Sequence, residues 1–238
     1  DLGADLCCDS AHKILPVLTG GAYLHLSPTA PAQLAPLAKS ALGLFGSTSP
    51  SYLTLASLDL CNRYLAEGYP QRLAEAVERL AELRERLTAA GWRVEPSDPL
   101  RVTVAAPRGV TGQELAGQLR RQGVECEYAD RDFLVLMTTP ENTPEELAQA
   151  AAALGQCPGE ANPPQLPLAR GERACSIRQA AFAPRETVDA AHSLGRVCGL
   201  PTVGCPPAIP IAVSGERITP EALALFAYYG IEQVEVLA

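Results

Sequence analysis

The segment from Pro70 to Gly91 constrains the fold of this chain more than any other stretch. Its apolar residues recur every three or four positions, which predicts a long amphipathic helix with a charged, solvated opposite face. These residues are Leu73, Val77, Leu80, Leu83 and Leu87. Proline suits the first turn of a helix and glycine its end, so both ends are defined. Such a helix must bury one face against a core.

Shorter apolar runs on both sides of this helix predict strands that alternate with further helices. The strand candidates are ADLCCDS, AYLHLS, WRVE, LRVTVAA, VECEYAD, DFLVLMTT and IEQVEVL. Helices are expected over about 30–44, with Ser27 as the cap, and over 52–65, 111–122, 143–154 and 220–229. The pattern predicts an α/β chain, and both early helices are expected to be well covered.

The first strand candidate carries a further expectation. Leu6 to Cys8 form a continuous apolar run, which is typical of a parallel strand covered on both faces. Such a strand needs sheet neighbours, and we expect them upstream of Asp1. The sequence then represents a truncated C-terminal portion of a longer protein, and we expect this portion to be inactive by itself.

Composition excludes several classes of partner. The 238 residues carry a formal net charge of −8, and no Lys/Arg run is denser than Arg120-Arg121, so nucleic acid is not an expected partner. No window approaches the ~18 apolar residues of a membrane helix, so no membrane contact and a cytoplasmic location are expected. Eight cysteines lack C-x-x-C spacing, which predicts no metal site and small buried thiols.

Composition also suggests where domains begin and end. Residues 157–172 are rich in proline without apolar periodicity, which predicts a linker. We therefore expect a first domain over 1–67, a small α+β domain over 68–156, the linker over 157–172 and a last α+β domain over 173–238.

The stretch DSAHKILPVLTGGAYLHL contains the chemistry-bearing residues. Ser10, His12 and Lys13 end a strand candidate, and the small residues that follow leave room for a flat ring. An amine that forms an imine with an aldehyde cofactor must be partly deprotonated, which burial promotes, so Lys13 is expected in an apolar pocket. A hydroxyl and an imidazole nearby could hold an anionic phosphate. The alternative is an ordinary surface His-Lys pair.

Three segments in the same order resemble the pyridoxal-phosphate-dependent ornithine/lysine/arginine decarboxylase family. The Ser10-x-His12-Lys13 segment resembles its S-x-H-K motif, GSTSPSYLTLASLD its TSPSY...ASLD segment, and GRV...PPAIPIAVSGERI its C-terminal signature. The resemblance implies the fold type I architecture of aspartate aminotransferase. The chain would hold the C-terminal part of the cofactor-binding large domain, a small α+β domain and a C-terminal decarboxylase domain.

The resemblance also implies roles for individual residues. Lys13 would be the catalytic lysine that binds pyridoxal 5'-phosphate, and Ser10 and His12 would contact the cofactor phosphate. Ser47, with Thr48, would reach the phosphate of the other subunit, which implies a homodimer or higher homo-oligomer; the alternative for Ser47 is a helix cap. The carboxylate that binds the pyridine nitrogen and the residue stacked on the ring are expected upstream of Asp1.

The implied activity is decarboxylation of a basic amino acid, arginine, lysine or ornithine, to an amine and carbon dioxide. The C-terminal signature departs from the family at His192, Leu200, Gly204, Cys205 and Ala208. The first two replace carboxylates, which weakens the case for a substrate with a distal cation; we interpret His192 as a surface residue. Glu216 is retained, and its carboxylate is expected to accept from backbone N–H groups. An aminotransferase, an aldolase-like lyase and a non-catalytic structural or regulatory descendant remain open.

Overall fold

The structure is a computed structural model that describes residues 3–201 and 209–238. These ranges contain nine β-strands and seven α-helices. The strands are β1 (Leu6–Asp9), β2 (Tyr23–Leu26), β3 (Val94–Glu95), β4 (Arg101–Ala105), β5 (Tyr128–Ala129), β6 (Phe133–Met137), β7 (Arg185–Asp189), β8 (Cys198–Leu200) and β9 (Gln233–Leu237). The helices are α1 (Leu34–Phe45), α2 (Tyr52–Ala66), α3 (Tyr69–Ala89), α4 (Gly112–Arg121), α5 (Pro144–Leu154), α6 (Ile177–Phe182) and α7 (Pro220–Tyr228).

The backbone divides into two compact units. The first contains Asp1–Ala89, Pro96–Val102 and Met137–Gly155, and the second contains Ala90–Glu95, Thr103–Leu136 and Gln156–Ala238. Residues 157–172 form no helix or strand. The domain boundaries expected from composition stay a prediction.

In the first unit, β1 and β2 form an antiparallel pair in which Cys7 lies opposite His25 and Asp9 lies opposite Tyr23. The prediction that β1 is a parallel strand covered on both faces is therefore wrong for the described residues. All four β1 residues are exposed. The reason is that segment 10–22 contains a 3-10 turn and no crossover helix, so the chain turns back and β2 pairs antiparallel to β1.

The expectation that both early helices are well covered is also wrong. Helix α1 has no buried residue, and α2 buries only Cys61. Large side chains such as Phe45, which is 88% exposed, and Tyr52, which is 86% exposed, project outward. Ser27 does not cap α1, because its hydroxyl accepts from Thr29 N–H in a local turn, and the helix begins later, at Leu34.

The predicted amphipathic helix is confirmed as α3, which buries Ala76, Leu80, Leu83 and Leu87. It packs against α5 in the same unit. Helix α5 begins with a capping box, in which Thr143 Oγ1 accepts from Glu146 N–H and the Glu146 carboxylate accepts from Thr143 N–H. The two reciprocal bonds satisfy backbone donors that the helix leaves unpaired.

The predicted strands after α3 form a four-stranded sheet in the order β3-β4-β6-β5. The pairs β3–β4 and β5–β6 are antiparallel. Buried side chains alternate along β6 and along β4 as far as Val104, as expected for strands with one covered face, and Ala105 at the end of β4 is also buried. Helix α4 has the same kind of capping box as α5, formed by Thr111 and Glu114.

The last part of the second unit is a three-stranded antiparallel sheet in the order β7-β9-β8. Its core contains Ile218, Phe226, Val234 and Val236, which are almost completely buried. Helix α7 begins at Pro220, as the sequence predicts, and the structure shows that Thr219 is its cap. The mixed α/β architecture expected from the sequence is confirmed.

The prediction that the cysteines are buried is only partly correct. Cys61 and Cys198 are buried, whereas Cys7 and Cys8 are exposed because both lie on the open strand β1. All seven cysteines in the described ranges are free thiols, and Cys205 lies outside those ranges. Among residues 3–201 and 209–238, no group of His, Cys, Asp and Glu side chains is arranged to hold a metal ion. No helix within those ranges has the length and apolar character to cross a membrane.

Candidate active site

The segment from Ser10 to Lys13 forms a short turn directly after β1. Ala11 begins a single 3-10 turn that ends at Lys13, and Lys13 N–H donates to Ser10 O at 3.2 Å. Ala11 is 3% exposed and packs in a small cluster with Val17 and Cys61. The buried alanine anchors the turn, and Lys13 itself is exposed. The expectation of a Lys13 buried in an apolar pocket is therefore wrong for the described residues, because the turn leaves its side chain exposed and the cavity that it lines also contains polar and charged groups.

His12 is held by the chain that returns toward β2. Its Nδ1 lies 3.1 Å from Gly21 O, and its backbone N–H donates to the same carbonyl at 3.4 Å. A carbonyl oxygen only accepts, so this bond requires the proton on Nδ1. His12 keeps Nε2 for another partner, and its ring orientation is set by Gly21.

Gly21 is needed for this close return. A Cβ added at Gly21 would lie 2.2 Å from Val17 Cγ1 and 3.1 Å from Leu18 O. Gly20 has φ of +94°, a conformation that glycine adopts without strain. The glycines therefore serve the tight turn that reaches His12, and they do not line the cavity beside Lys13.

A cavity of about 520 Å³ lies beside Lys13 in the first unit. Ser10 and Lys13 both line it, together with hydroxyl, imidazole and carboxylate groups from β1, β2 and α3. The polar and charged members are Asp9, Ser10, Lys13, Tyr23, His25, Asn62, Tyr69 and Arg101. The structure thus brings Ser10 and Lys13 together, whereas His12 is not among the lining residues.

A chain of polar contacts crosses from β1 to β2 at the edge of this cavity. The Cys7 thiol donates to Asp9 Oδ1 at 3.2 Å, and His25 Nε2 lies 3.1 Å from Asp9 Oδ2. The hydrogen bond and the charge of Asp9 raise the pKa of the Cys7 thiol. Sequence reasoning missed Asp9 and His25. The spacing of Cys7 and Asp9 predicts that they share a strand face, but the register that places His25 there depends on the turn.

Ser47 and Thr48 lie in the loop between α1 and α2, and both are exposed. Ser47 Oγ accepts from Ser49 N–H at 3.1 Å. The alternative that Ser47 caps the helix is wrong: Ser51 is the N-cap of α2, and its hydroxyl accepts from Thr54 N–H at 3.3 Å. Neither Ser47 nor Thr48 lines the cavity beside Lys13.

The C-terminal signature is described in part. Glu216 Oε2 accepts from Val213 N–H at 3.1 Å, which confirms the expected bond between this carboxylate and backbone. His192 is exposed at the end of a 3-10 turn, with Nδ1 3.5 Å from Asp189 Oδ2, as expected for a surface residue. Leu200 ends β8 and is 48% exposed. Gly204, Cys205 and Ala208 lie outside the described residues.

Residues 4–107, which include the Ser10–Lys13 turn and the Ser47 loop, match the model described as "Orn/Lys/Arg decarboxylase, major domain". This part of the chain is therefore similar to the major domain of Orn/Lys/Arg decarboxylases.

Curated relatives and solved structures also resemble the chain. The chain is 29% identical over 241 residues to the uncharacterized protein YaaO of Bacillus subtilis, and 29% identical over 250 residues to an arginine decarboxylase of the same organism. Each alignment covers 93% of this chain and 49% of the relative, so the chain spans about half the length of the curated relatives it matches.

Two lysine decarboxylases share the fold of this chain. The enzyme of Francisella novicida superposes with a TM-score of 0.76 at 14% identity, covering 97% of this chain and 48% of the other. The constitutive lysine decarboxylase of E. coli superposes with a TM-score of 0.75 at 16% identity, covering 98% and 49%. At these identities the likeness supports the mixed α/β fold and nothing finer.

Proposed function

We propose that this chain supplies the lysine-bearing part of a pyridoxal 5'-phosphate-dependent decarboxylase that acts on a basic amino acid. The observation that carries the proposal is the placement of Ser10 and Lys13 on one cavity within the segment that matches the decarboxylase family. The names of the arginine and lysine decarboxylases that resemble the chain support a basic substrate.

The residues around the cavity fit such a cofactor. The cavity is lined by the amine of Lys13, the hydroxyl of Ser10 and the imidazole of His25. Its volume of about 520 Å³ is typical of small-molecule sites. Lys13 would hold the cofactor through Nζ. Ser10 would hold the phosphate with its hydroxyl. His12 can contact the phosphate only through Nε2, because Nδ1 is bound to Gly21 O.

The bound cofactor supplies an electron sink for the pair released when the bond between Cα and the carboxylate breaks. The chain's own task is to orient and hold its partners. Gly21 fixes the His12 ring, and the buried Ala11 fixes the turn that presents Lys13. A turn anchored in this way keeps the lysine close to one position, which is the requirement for repeated use of one amine.

The finer domain arrangement is part of the same proposal. The chain would contain the C-terminal part of a fold type I large domain, followed by a small α+β domain and a C-terminal decarboxylase domain. The carboxylate for the pyridine nitrogen and the stacking residue would come from sequence upstream of Asp1. The exposure of β1 and of α1 supports this, because their apolar side chains lack cover among the described residues.

A dimer is the proposed working unit. Ser47 and Thr48 do not line the Lys13 cavity of their own chain, which supports their use at the phosphate of a second subunit. Their loop keeps exposed hydroxyl groups and backbone amides just before α2, a common arrangement for binding an anion.

The experiment uses borohydride reduction of the protein produced from its native gene, followed by peptide mapping. The sequence has two lysines, Lys13 and Lys39, and both are exposed, so Lys39 is a matched control. We expect the pyridoxyl mass on Lys13 alone, its loss in Lys13→Arg, and its retention in Lys39→Arg. A label on Lys39, or no label on either lysine, would overturn the proposal.

A further inference from the structure

Asp9 is the one carboxylate among the residues that line the cavity beside Lys13 in the described part of the chain. Its side chain is 55% exposed, so a small solute can reach it. Each carboxylate oxygen has one partner: Oδ1 accepts from the Cys7 thiol, and Oδ2 lies 3.1 Å from His25 Nε2. A carboxylate offers about four acceptor positions, so two remain for a further donor.

The partners of Asp9 hold its carboxylate without covering it. The hydrogen bond and the charge of Asp9 raise the pKa of the Cys7 thiol, so this partner adds no positive charge. The second partner, His25 Nε2, contacts the other carboxylate oxygen. The two contacts, one along β1 and one across to β2, also hold the carboxylate in one orientation.

The charges around the cavity are mixed. Lys13 and Arg101 also line it, so its overall field does not attract cations. A cationic group will therefore be favoured only close to Asp9, where the short-range ion pair exceeds the repulsion from the other two. A ligand with ammonium groups at both ends of a carbon chain can place one end at Asp9 and the other elsewhere in the cavity.

From these observations we infer that Asp9 is a specificity-determining residue that binds the distal cation of the substrate. The inference rests on the proposed function, because it places a second end of the same substrate in the cavity that holds Lys13. Positions 192 and 200 lack the carboxylates that the family resemblance implies, and a distal cation without a counter-charge would bind poorly. Asp9 thereby restores a counter-charge from within the chain.

The test is a binding measurement with two probes that differ by one ammonium group, 1-aminopentane and the neutral pentan-1-ol. Both are titrated at pH 8, by calorimetry, into the protein produced from its native gene. We expect the native protein to bind the amine about tenfold more tightly, the size expected of one hydrogen bond to a charged group. In Asp9→Asn the ratio should fall close to one, with pentan-1-ol binding unchanged.

Matched variants separate a local effect from a general one. Asp5→Asn makes the same change in net charge on the same segment, and Asp5 does not line the cavity, so its ratio should equal that of the native protein. Asp9→Ser is a second way to remove the charge if Asp9→Asn does not fold. An unchanged ratio in the folded Asp9 variant, or no preference in the native protein, would overturn the inference.

The two proposals fail in different ways. Borohydride labelling of Lys13 in the native protein and in the Asp9 variant reports on the cofactor, while the amine titration reports on the cation site. A native protein without the label but with a preference for the amine over pentan-1-ol that depends on Asp9 would refute the proposed function and support the cation site. Labelling of Lys13 together with a preference that does not depend on Asp9 would support the proposed function and refute the cation site.

Discussion

The Tyr228 hydroxyl donates a hydrogen bond of 2.6 Å to Asp132 Oδ1, which joins the end of α7 to the turn between β5 and β6 across 96 positions of sequence. The Arg131 guanidinium lies over the Tyr228 ring, with Cζ 4.7 Å from its centroid. Adjacent residues of one turn therefore hold both the hydroxyl and the ring. This pair of contacts fastens the C-terminal helix within the second unit.

Tyr228 predicts a pH dependence of stability. Burial, followed by the hydrogen bond to Asp132, raises the pKa of Tyr228 to about 12 from an ordinary value near 10. A raised pKa means that the folded state favours the neutral hydroxyl. Its contribution to stability is therefore complete below about pH 10 and is lost as the pH rises from about 10 toward 12.

Tyr228→Phe should consequently be less stable than the native protein at neutral pH by about 1 kcal/mol, the usual value of one such bond. Between pH 10 and 12 the free energy of unfolding should fall less steeply in the variant, because the ionisable hydroxyl is gone. Urea unfolding at several pH values measures both effects. Tyr52→Phe is the control, since Tyr52 is 86% exposed; equal slopes in the native protein and Tyr228→Phe would contradict the prediction.

Two glycines of α4 predict opposite effects of alanine. A Cβ at Gly112 would lie 2.2 Å from Phe133 O and 2.5 Å from Asp130 O, and these backbone atoms cannot move aside cheaply. A Cβ at Gly117 would meet only the end of the Arg121 side chain, at 3.9 Å. We expect Gly112→Ala to destabilise by about 1–3 kcal/mol and Gly117→Ala to stabilise by up to about 1 kcal/mol. Thermal unfolding distinguishes the two, and a stable Gly112→Ala protein would show that this close contact is absent.

Ser51 and Ser47 should separate helix capping from cofactor binding. Ser51 Oγ accepts from Thr54 N–H at the start of α2, so Ser51→Ala should lower the free energy of unfolding by about 1 kcal/mol. Ser47→Ala should change stability by less than about 0.5 kcal/mol, because Ser47 bonds only within its own loop.

In the same pair of variants, the proposed function predicts weaker binding of pyridoxal phosphate in Ser47→Ala and unchanged binding in Ser51→Ala. Equilibrium dialysis of the cofactor against each purified protein measures this. If Ser47→Ala lost stability and Ser51→Ala lost the cofactor, the assignment of the two serines would be reversed.

The substrate prediction is tested by carbon dioxide release from arginine, lysine, ornithine and the uncharged norleucine. We expect a basic amino acid to react best, because an unpaired, desolvated distal cation would cost several kcal/mol and a site that accepts one must supply a carboxylate. A clear preference for norleucine would contradict the prediction. His192→Glu and Leu200→Glu would then be the first variants to examine, since these positions lack the carboxylates that the family resemblance implies.

Local patterns in the sequence determined the helices well. Helix α3 follows from apolar spacing, because burial of one face repeats every three or four residues, and α4 and α5 follow from capping residues that bond within a single turn. The resemblance of the Ser10-x-His12-Lys13 segment to a family motif could be recognised for a related reason: the motif is a short segment, and its order along the chain is sufficient for recognition.

Pairing between distant segments was decided only by the tertiary structure. The run Leu6 to Cys8 indicates a strand, but its antiparallel partner and its exposure depend on where the chain returns, which residue types do not encode. The Asp9–His25 contact requires the register of two strands, and the Tyr228–Asp132 bond requires two elements to fold against each other. The period of the apolar residues predicts which side of an element is apolar, whereas only the tertiary structure determines which residues cover that side.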